Sequence, residues 1–95
     1  MPRLLTYVVN IEDRKLSEPF KESVLFKSVV NACLSAGSSE GQAKSVAERV
    51  VGAVVAWLKD RPEVTTHDIR RVTARSLKVY HPDASYLYEH HRVTL

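Results

Sequence analysis

One stretch decides the fold of this chain: Val9–Leu25, which reads VNIEDRKLSEPFKESVL. Its first residues close a β-branched and aromatic run that begins at Leu4, a composition typical of a strand. A polar turn follows at Glu12-Asp13-Arg14, and a short return strand over 15–19 ends at Pro19, which cannot donate to a sheet ladder. Because a two-stranded hairpin is marginal alone, we expect it to pack on helices.

Helical periodicity begins where this stretch ends. The spacing predicts a first helix over 21–36, ended by Gly37, and a second over 41–59 with Ser38 or Ser39 as its N-cap. Thr65 or Thr66 caps a third helix, and a short fourth begins at Pro82. The side chains expected in the core are Leu25, Val29, Ala32, Cys33, Ala36, Ala43, Val46, Ala47, Val50, Val51, Val54, Leu58, Ile69, Val72, Leu77, Tyr80, Ala84, Leu87 and Tyr88.

These elements predict an α+β fold that is mostly helical, with an N-terminal β-hairpin packed on a four-helix bundle. Ninety-five residues are too few for two cores, so we expect residues 1–95 to form a single domain. The 44% hydrophobic and 26% charged content is that of an ordinary globular protein. With no signal peptide at the Met-Pro-Arg start and no apolar run of about 20 residues, a cytoplasmic location is expected.

Few side chains are arranged for chemistry. The single cysteine excludes an internal disulfide, and no two of the four histidines have the i,i+4 spacing of a helical metal site. No phosphate-binding glycine loop and no paired nucleophile and base are present, so neither an enzyme nor a metal site is expected. The net charge of +3 permits an anionic partner without requiring one.

One row of basic residues favours an alternative. On the predicted third helix, His67, Arg71, Arg75 and Lys78 fall on one face and could meet phosphates. The simpler explanation is a solvated outer face, since every surface helix has one. Nucleic-acid binding through this helix therefore stays open as a minority hypothesis.

Four motifs, taken in order and spacing, point to a family. They are Tyr7-Val8-Val9, Glu18-Pro19-Phe20, Val64-Thr65-Thr66-His67-Asp68-Ile69 and Asp83-Ala84-Ser85-Tyr86-Leu87-Tyr88. Together they cover nearly the whole chain and resemble the ATP-cone domain, a nucleotide-sensing module of ribonucleotide reductases and of the repressor of their genes. The resemblance implies an ATP-cone-like fold and an adenine nucleotide, ATP or dATP, held between the hairpin and the helices, with magnesium present only on the nucleotide.

The resemblance also implies a set of nucleotide-binding positions. Carried over residue by residue, these are Val9, Asn10, Glu18, Lys21, Leu25, Thr66 and Arg70. Asn10 and Ile11 stand where the family has a Lys-Arg pair, and Val24 stands where it has a later Lys. Each charge-assisted hydrogen bond contributes roughly 1.5–3 kcal/mol, so the nucleotide is expected to bind weakly or to have been lost.

A cone without a catalytic domain is expected to act as a regulator. The resemblance implies allosteric regulation through self-association or through a protein partner, and no membrane partner. The alternatives are a protein-interaction module with a vestigial pocket and a small nucleic-acid-binding regulator that uses the basic third helix.

Overall fold

The computed structural model describes residues 6–9 and 18–90, with Val9 and Glu18 described by their backbone. This part of the chain contains three short strands and four helices. In chain order they are β1 (Tyr7–Val9), β2 (Glu18–Pro19), α1 (Glu22–Ser35), α2 (Glu40–Leu58), β3 (Glu63–Thr65), α3 (Thr66–Tyr80) and α4 (Pro82–His90). The mostly helical prediction is confirmed. The turn predicted over 12–14 lies outside the described residues. None of the described helices is long and apolar enough to cross a membrane.

The strands form one sheet in the order β2-β1-β3. β1 runs antiparallel to β2, as predicted, and parallel to β3. The sequence did not predict a strand between α2 and α3, where residues 63–65 form β3. Three residues carry too little pattern to predict a strand. Its extended conformation comes from pairing with β1, reinforced by the Tyr7 N–H, which donates to the Pro62 carbonyl at 3.0 Å.

The helices pack in a ring, with α1 and α3 each contacting both α2 and α4. A bundle of four helices was predicted, and this arrangement confirms it. Gly37, with φ of +95°, lets the chain turn sharply between α1 and α2, since a positive φ strains a side chain with a Cβ. Ser39 caps α2 by accepting a hydrogen bond from the Gln42 N–H at 3.2 Å. Proline begins α4 as expected.

Hydrogen bonds hold the sheet against one end of the bundle. The buried Thr6 hydroxyl donates to the Arg61 carbonyl at 2.9 Å, just after α2 ends. The Thr6 carbonyl accepts from the Phe20 N–H at 2.7 Å, just before α1 begins. β3 runs directly into Thr66, where α3 starts. We call this end of the bundle, where α1 starts, α2 finishes and α3 starts, the sheet end.

The core follows the predicted apolar stripes with few exceptions. The prediction that Tyr80 is buried is wrong. Its side chain is 45% exposed, and the Arg49 guanidinium lies 5.8 Å from the centre of its ring. The last turn of α3 extends past the core, which helical spacing cannot show. Four polar side chains, those of Thr6, Ser28, Thr73 and Ser85, are buried without having been expected there. The buried apolar side chains are Leu25, Val29, Ala32, Cys33, Ala43, Ala47, Val50, Val51, Val54, Leu58, Val64, Ile69, Ala74, Leu77, Ala84 and Tyr88.

Candidate functional site

Strand β1 has a neighbour on each side, and its register decides which predicted site residues lie together. Val9 is opposite Thr65 of β3, which directly precedes Thr66, and Glu18 of β2 is opposite Val8. Since adjacent strands lie about 4.8 Å apart, the Val9 backbone lies one strand spacing from Thr65, and the Glu18 backbone lies one strand spacing from Val8 on the other side of β1. The structure therefore places three of the seven predicted positions around one end of β1.

The start of α3 is closed by a capping box. The Thr65 hydroxyl accepts from the Asp68 N–H at 3.0 Å, and the Asp68 carboxylate accepts from the Thr65 N–H at 3.2 Å. The Thr65 backbone N–H, then the Thr65 hydroxyl, and more weakly the neighbouring Arg71 lower the pKa of the Asp68 carboxyl. A negative charge thus already occupies the positive end of the helix dipole. An anionic ligand near Thr66 must be bound mainly by side-chain cations.

Arg70 lies one turn along α3 from Thr66, and both side chains are half-buried. Its charge acts on Tyr88 of α4, but burial has the larger effect and raises the pKa of Tyr88 to about 12, against smaller lowering by Thr73 and Arg70. The hydroxyls of Tyr88 and Thr73 are both buried and make no hydrogen bond among the described residues. Their mutual contact is therefore weak, and Arg70 borders an interior that contains two unsatisfied hydroxyls.

Other predicted positions lie apart from this group. Lys21 precedes α1 and is exposed, on the far side of Phe20, which bonds to Thr6 at the opposite end of β1 from Val9. Leu25 is only 1% exposed and belongs to the core. Asn10 lies outside the described residues. The structure thus assembles positions from β1, β2 and α3, and leaves Lys21 at the other edge of the sheet.

The basic row of α3 is on the surface. His67, Arg71, Arg75 and Lys78 are all exposed, as expected for a polar outer face. Arg71 makes an ion pair with Asp68 at 3.5 Å, between side chains that remain 54% and 40% exposed. Exposed pairs of this kind contribute little to stability. Arg71 therefore stays available to a partner.

Sequence reasoning missed the buried hydroxyls beneath this helix. Thr73 lies four residues after Ile69 and four before Leu77, so it falls within the apolar stripe of α3. A hydroxyl in the middle of such a stripe was the available signal. Ser85 finds a partner, since its hydroxyl donates to the Ala74 carbonyl at 2.7 Å.

Neither a cluster of metal ligands nor a matching protein points to a function for this site. Across residues 6–9 and 18–90, no three His, Cys, Asp or Glu side chains come together as metal ligands. Burial raises the pKa of the Cys33 thiol, which makes this side chain a weak nucleophile. No protein-family model and no curated protein sequence matches the chain.

Proposed function

We propose that this chain is a regulatory module of the ATP-cone type that binds an adenine nucleotide weakly at the sheet end of its helix bundle. The observation that carries the proposal is the register of β1. It brings the Val9 backbone next to Thr65, directly before Thr66 and then Arg70 of α3, and it sets Glu18 opposite Val8 on the other side of β1. An acid from β2 with a hydroxyl and a cation from α3 are suited to a ligand with both a polar base and phosphates.

Each residue has a proposed role in this site. The Glu18 carboxylate accepts a hydrogen bond from the amino group of adenine, and the Thr66 hydroxyl contacts the nucleoside. Arg70 meets the phosphates, and Lys21, at the other edge of the sheet, attracts them at longer range. Asp68 opposes them from the start of α3. Two cations against a triphosphate predict a dissociation constant of roughly 10 µM to 1 mM, a binding free energy of about −7 to −4 kcal/mol.

Titration calorimetry with ATP and with dATP, each with magnesium, tests the proposal. Heat is expected in this concentration range, and it should be lost in Glu18→Gln and in Thr66→Ala. Glu63→Gln is the matched control, because Glu63 flanks β1 from β3 with an exposed side chain. Melting curves of every variant separate lost binding from lost folding. The absence of heat at millimolar nucleotide, or equal losses in Glu18→Gln and Glu63→Gln, would defeat the nucleotide site.

Regulation follows only if the nucleotide distinguishes two states of the protein. A ligand shifts an equilibrium by its difference in affinity for the two states and by nothing else. The proposed states differ in association. Light scattering with and without saturating ATP is expected to give different average masses at the same protein concentration.

A second candidate function is association with a protein through α3 and α4, with a vestigial nucleotide pocket. It is favoured by the exposure of apolar side chains there: Val79 is 78% exposed and Tyr86 is 63% exposed. Tyr86 also packs against His90, with ring centres 4.2 Å apart and ring planes tilted by 47°, so two aromatic rings lie together on this surface. Burying exposed aromatic and apolar side chains in an interface makes a large contribution to the binding free energy.

Light scattering over a range of protein concentrations tests this second candidate. The average mass should rise with concentration, and Val79→Ser combined with Tyr86→Ser should abolish the rise. Leu34→Ser is the control, since Leu34 is 42% exposed but lies on α1. In this case ATP should leave the melting temperature unchanged, because only a ligand that binds the native state raises it. A monomer at all concentrations would exclude self-association.

A further inference from the structure

One helix accounts for the net positive charge of this protein. α3 contains four of the chain's 14 Lys and Arg and one of its 11 Asp and Glu, so its formal charge of +3 equals the net charge of the whole chain. The remaining ten basic and ten acidic residues balance. An anionic partner would therefore be attracted to α3 and not to the molecule as a whole.

The basic side chains of α3 form a straight row. His67, Arg71, Arg75 and Lys78 are separated by four, four and three residues, so they lie on one face over about 16 Å of helix axis. The opposite face is buried through Ile69 and its apolar neighbours, which fixes the row toward solvent. In the part of the chain that the structure describes, no carboxylate lies within 4 Å of Arg75 or Lys78.

We propose that this outer face of α3 binds the phosphate backbone of double-stranded DNA. A rigid exposed helix fits the major groove of B-DNA, about 12 Å wide, whereas the deep and narrow major groove of A-form RNA does not admit one. Single strands are bound through aromatic side chains on which bases stack. The row has no aromatic residue between His67 and Lys78. Duplex DNA is the polyanion that this geometry fits best.

The salt dependence of binding follows from the number of cations. Three contacts, by Arg71, Arg75 and Lys78, release about three counterions, so the logarithm of affinity falls with the logarithm of salt with a slope of about −2.7. Between 50 and 200 mM salt the affinity should therefore drop about 40-fold. With a single contact left, the same change of salt should lower it only about 3- to 4-fold.

Fluorescence anisotropy of a labelled 20-base-pair duplex of mixed sequence measures this directly. The test variant combines Arg75→Gln and Lys78→Gln. The control combines Lys27→Gln and Lys59→Gln, which remove the same charge from exposed positions outside α3, on α1 and just after α2. The test variant should bind roughly 100-fold more weakly at 50 mM salt and show the shallow slope, and the control should keep the slope of the unaltered protein.

Three outcomes would overturn the proposal. The first is no binding of duplex by the unaltered protein at 50 mM salt and 100 µM protein, about the weak limit for non-specific DNA binding. The second is an equal loss in the test and control variants, which would indicate attraction by net charge alone. The third is tighter binding of a single strand or of a polyglutamate peptide than of the duplex, which would assign the face to another class of partner. Nucleotide is left out, so the result does not depend on the function proposed above.

Discussion

The α1–α2 pair and the α3–α4 pair bury different kinds of side chain. The first pair is closed almost entirely by aliphatic and small residues such as Ala43, Ala47 and Val50, and its one buried hydroxyl, on Ser28, donates within its own helix to Val24 at 3.0 Å. The second pair buries three hydroxyls between helices, on Thr73, Ser85 and Tyr88, of which only that of Ser85 is satisfied.

This difference suggests that one helix pair stabilises the fold and that the other serves the proposed binding functions. Apolar contacts gain free energy in proportion to buried area, whereas an unsatisfied buried hydroxyl costs about 1–3 kcal/mol. The α1–α2 pair is therefore the stable half of the bundle. The α3–α4 pair accepts polar groups inside and carries the excess charge outside, and both proposed binding functions use it.

Truncation in the stable half should have the largest effect. Leu58→Ala removes a side chain with no exposed surface at the end of α2, and the cavity should lower the free energy of unfolding by about 3 kcal/mol, within a range of 2–5. Urea denaturation measures the loss. Leu34→Ala, on the exposed side of α1, should change it by less than about 0.5 kcal/mol. A loss below about 1 kcal/mol for Leu58→Ala would contradict this view of the α1–α2 core.

The α3–α4 pair should make the free energy of unfolding depend on pH in the alkaline range. Tyr88 has a pKa of about 12 in the folded protein against an ordinary value of 10.0, so the folded state holds this proton more strongly than the unfolded chain. The resulting contribution is complete below pH 10 and is lost as pH rises through 12, by about 2–3 kcal/mol. Tyr88→Phe should lack this decline when unfolding is measured from pH 9 to 12. Parallel declines in the two proteins would show that Tyr88 is not shielded from water.

Removing hydroxyls one at a time should give opposite signs within the α3–α4 pair. Thr73→Val replaces an unsatisfied hydroxyl by a methyl group of similar size and should stabilise by about 1 kcal/mol. Ser85→Ala deletes the 2.7 Å hydrogen bond to Ala74 and should destabilise by about 1 kcal/mol. Thermal and urea unfolding of both variants measure the pair. A destabilised Thr73→Val protein would indicate that its hydroxyl has a partner.

Removing a helix N-cap should have the smallest effect on stability, and this effect should depend on pH in only one of the two helix pairs. Thr65→Ala and Ser39→Ala each remove an N-cap and should cost about 0.5–1 kcal/mol at pH 7. Only the Thr65 cap is coupled to a carboxylate, that of Asp68, whose pKa is lowered. Its contribution is present above the ordinary value of 3.8 and is lost as pH falls through the lowered folded value. Unfolding measured at pH 7 and pH 3 should therefore show a shrinking effect for Thr65→Ala and a constant one for Ser39→Ala.

The helical part of the fold could be predicted because its signals are local. A residue such as Gly37 ends a helix by its own backbone preference, and a cap such as Ser39 bonds a backbone N–H three residues away. Apolar spacing likewise predicted the burial of Cys33. The signal for each of these features lies within a few residues of it, although the burial of Cys33 itself requires the other helices.

The candidate site could be predicted only in part. That Thr66 and Arg70 share a side of α3 follows from helical spacing, and so does the basic row. The separation of Lys21 from Thr66 does not, because it depends on the register of β2 and β3 on β1, and no residue near Lys21 encodes that register. The nucleotide-binding roles of all seven positions stay predictions.

The sequence by itself determined where the helices start and end and which faces are apolar, since these follow from caps, glycine and spacing within a few residues. Only the tertiary structure decided that residues 63–65 form a strand, that Tyr80 lies outside the core, and that the Thr73 and Tyr88 hydroxyls are buried together. Each of these depends on a partner distant in the chain: β1 for β3, the edge of the core for Tyr80, and the facing helix for each hydroxyl. Pairing and burial between distant segments are set by the packing of the whole chain and have no local signal.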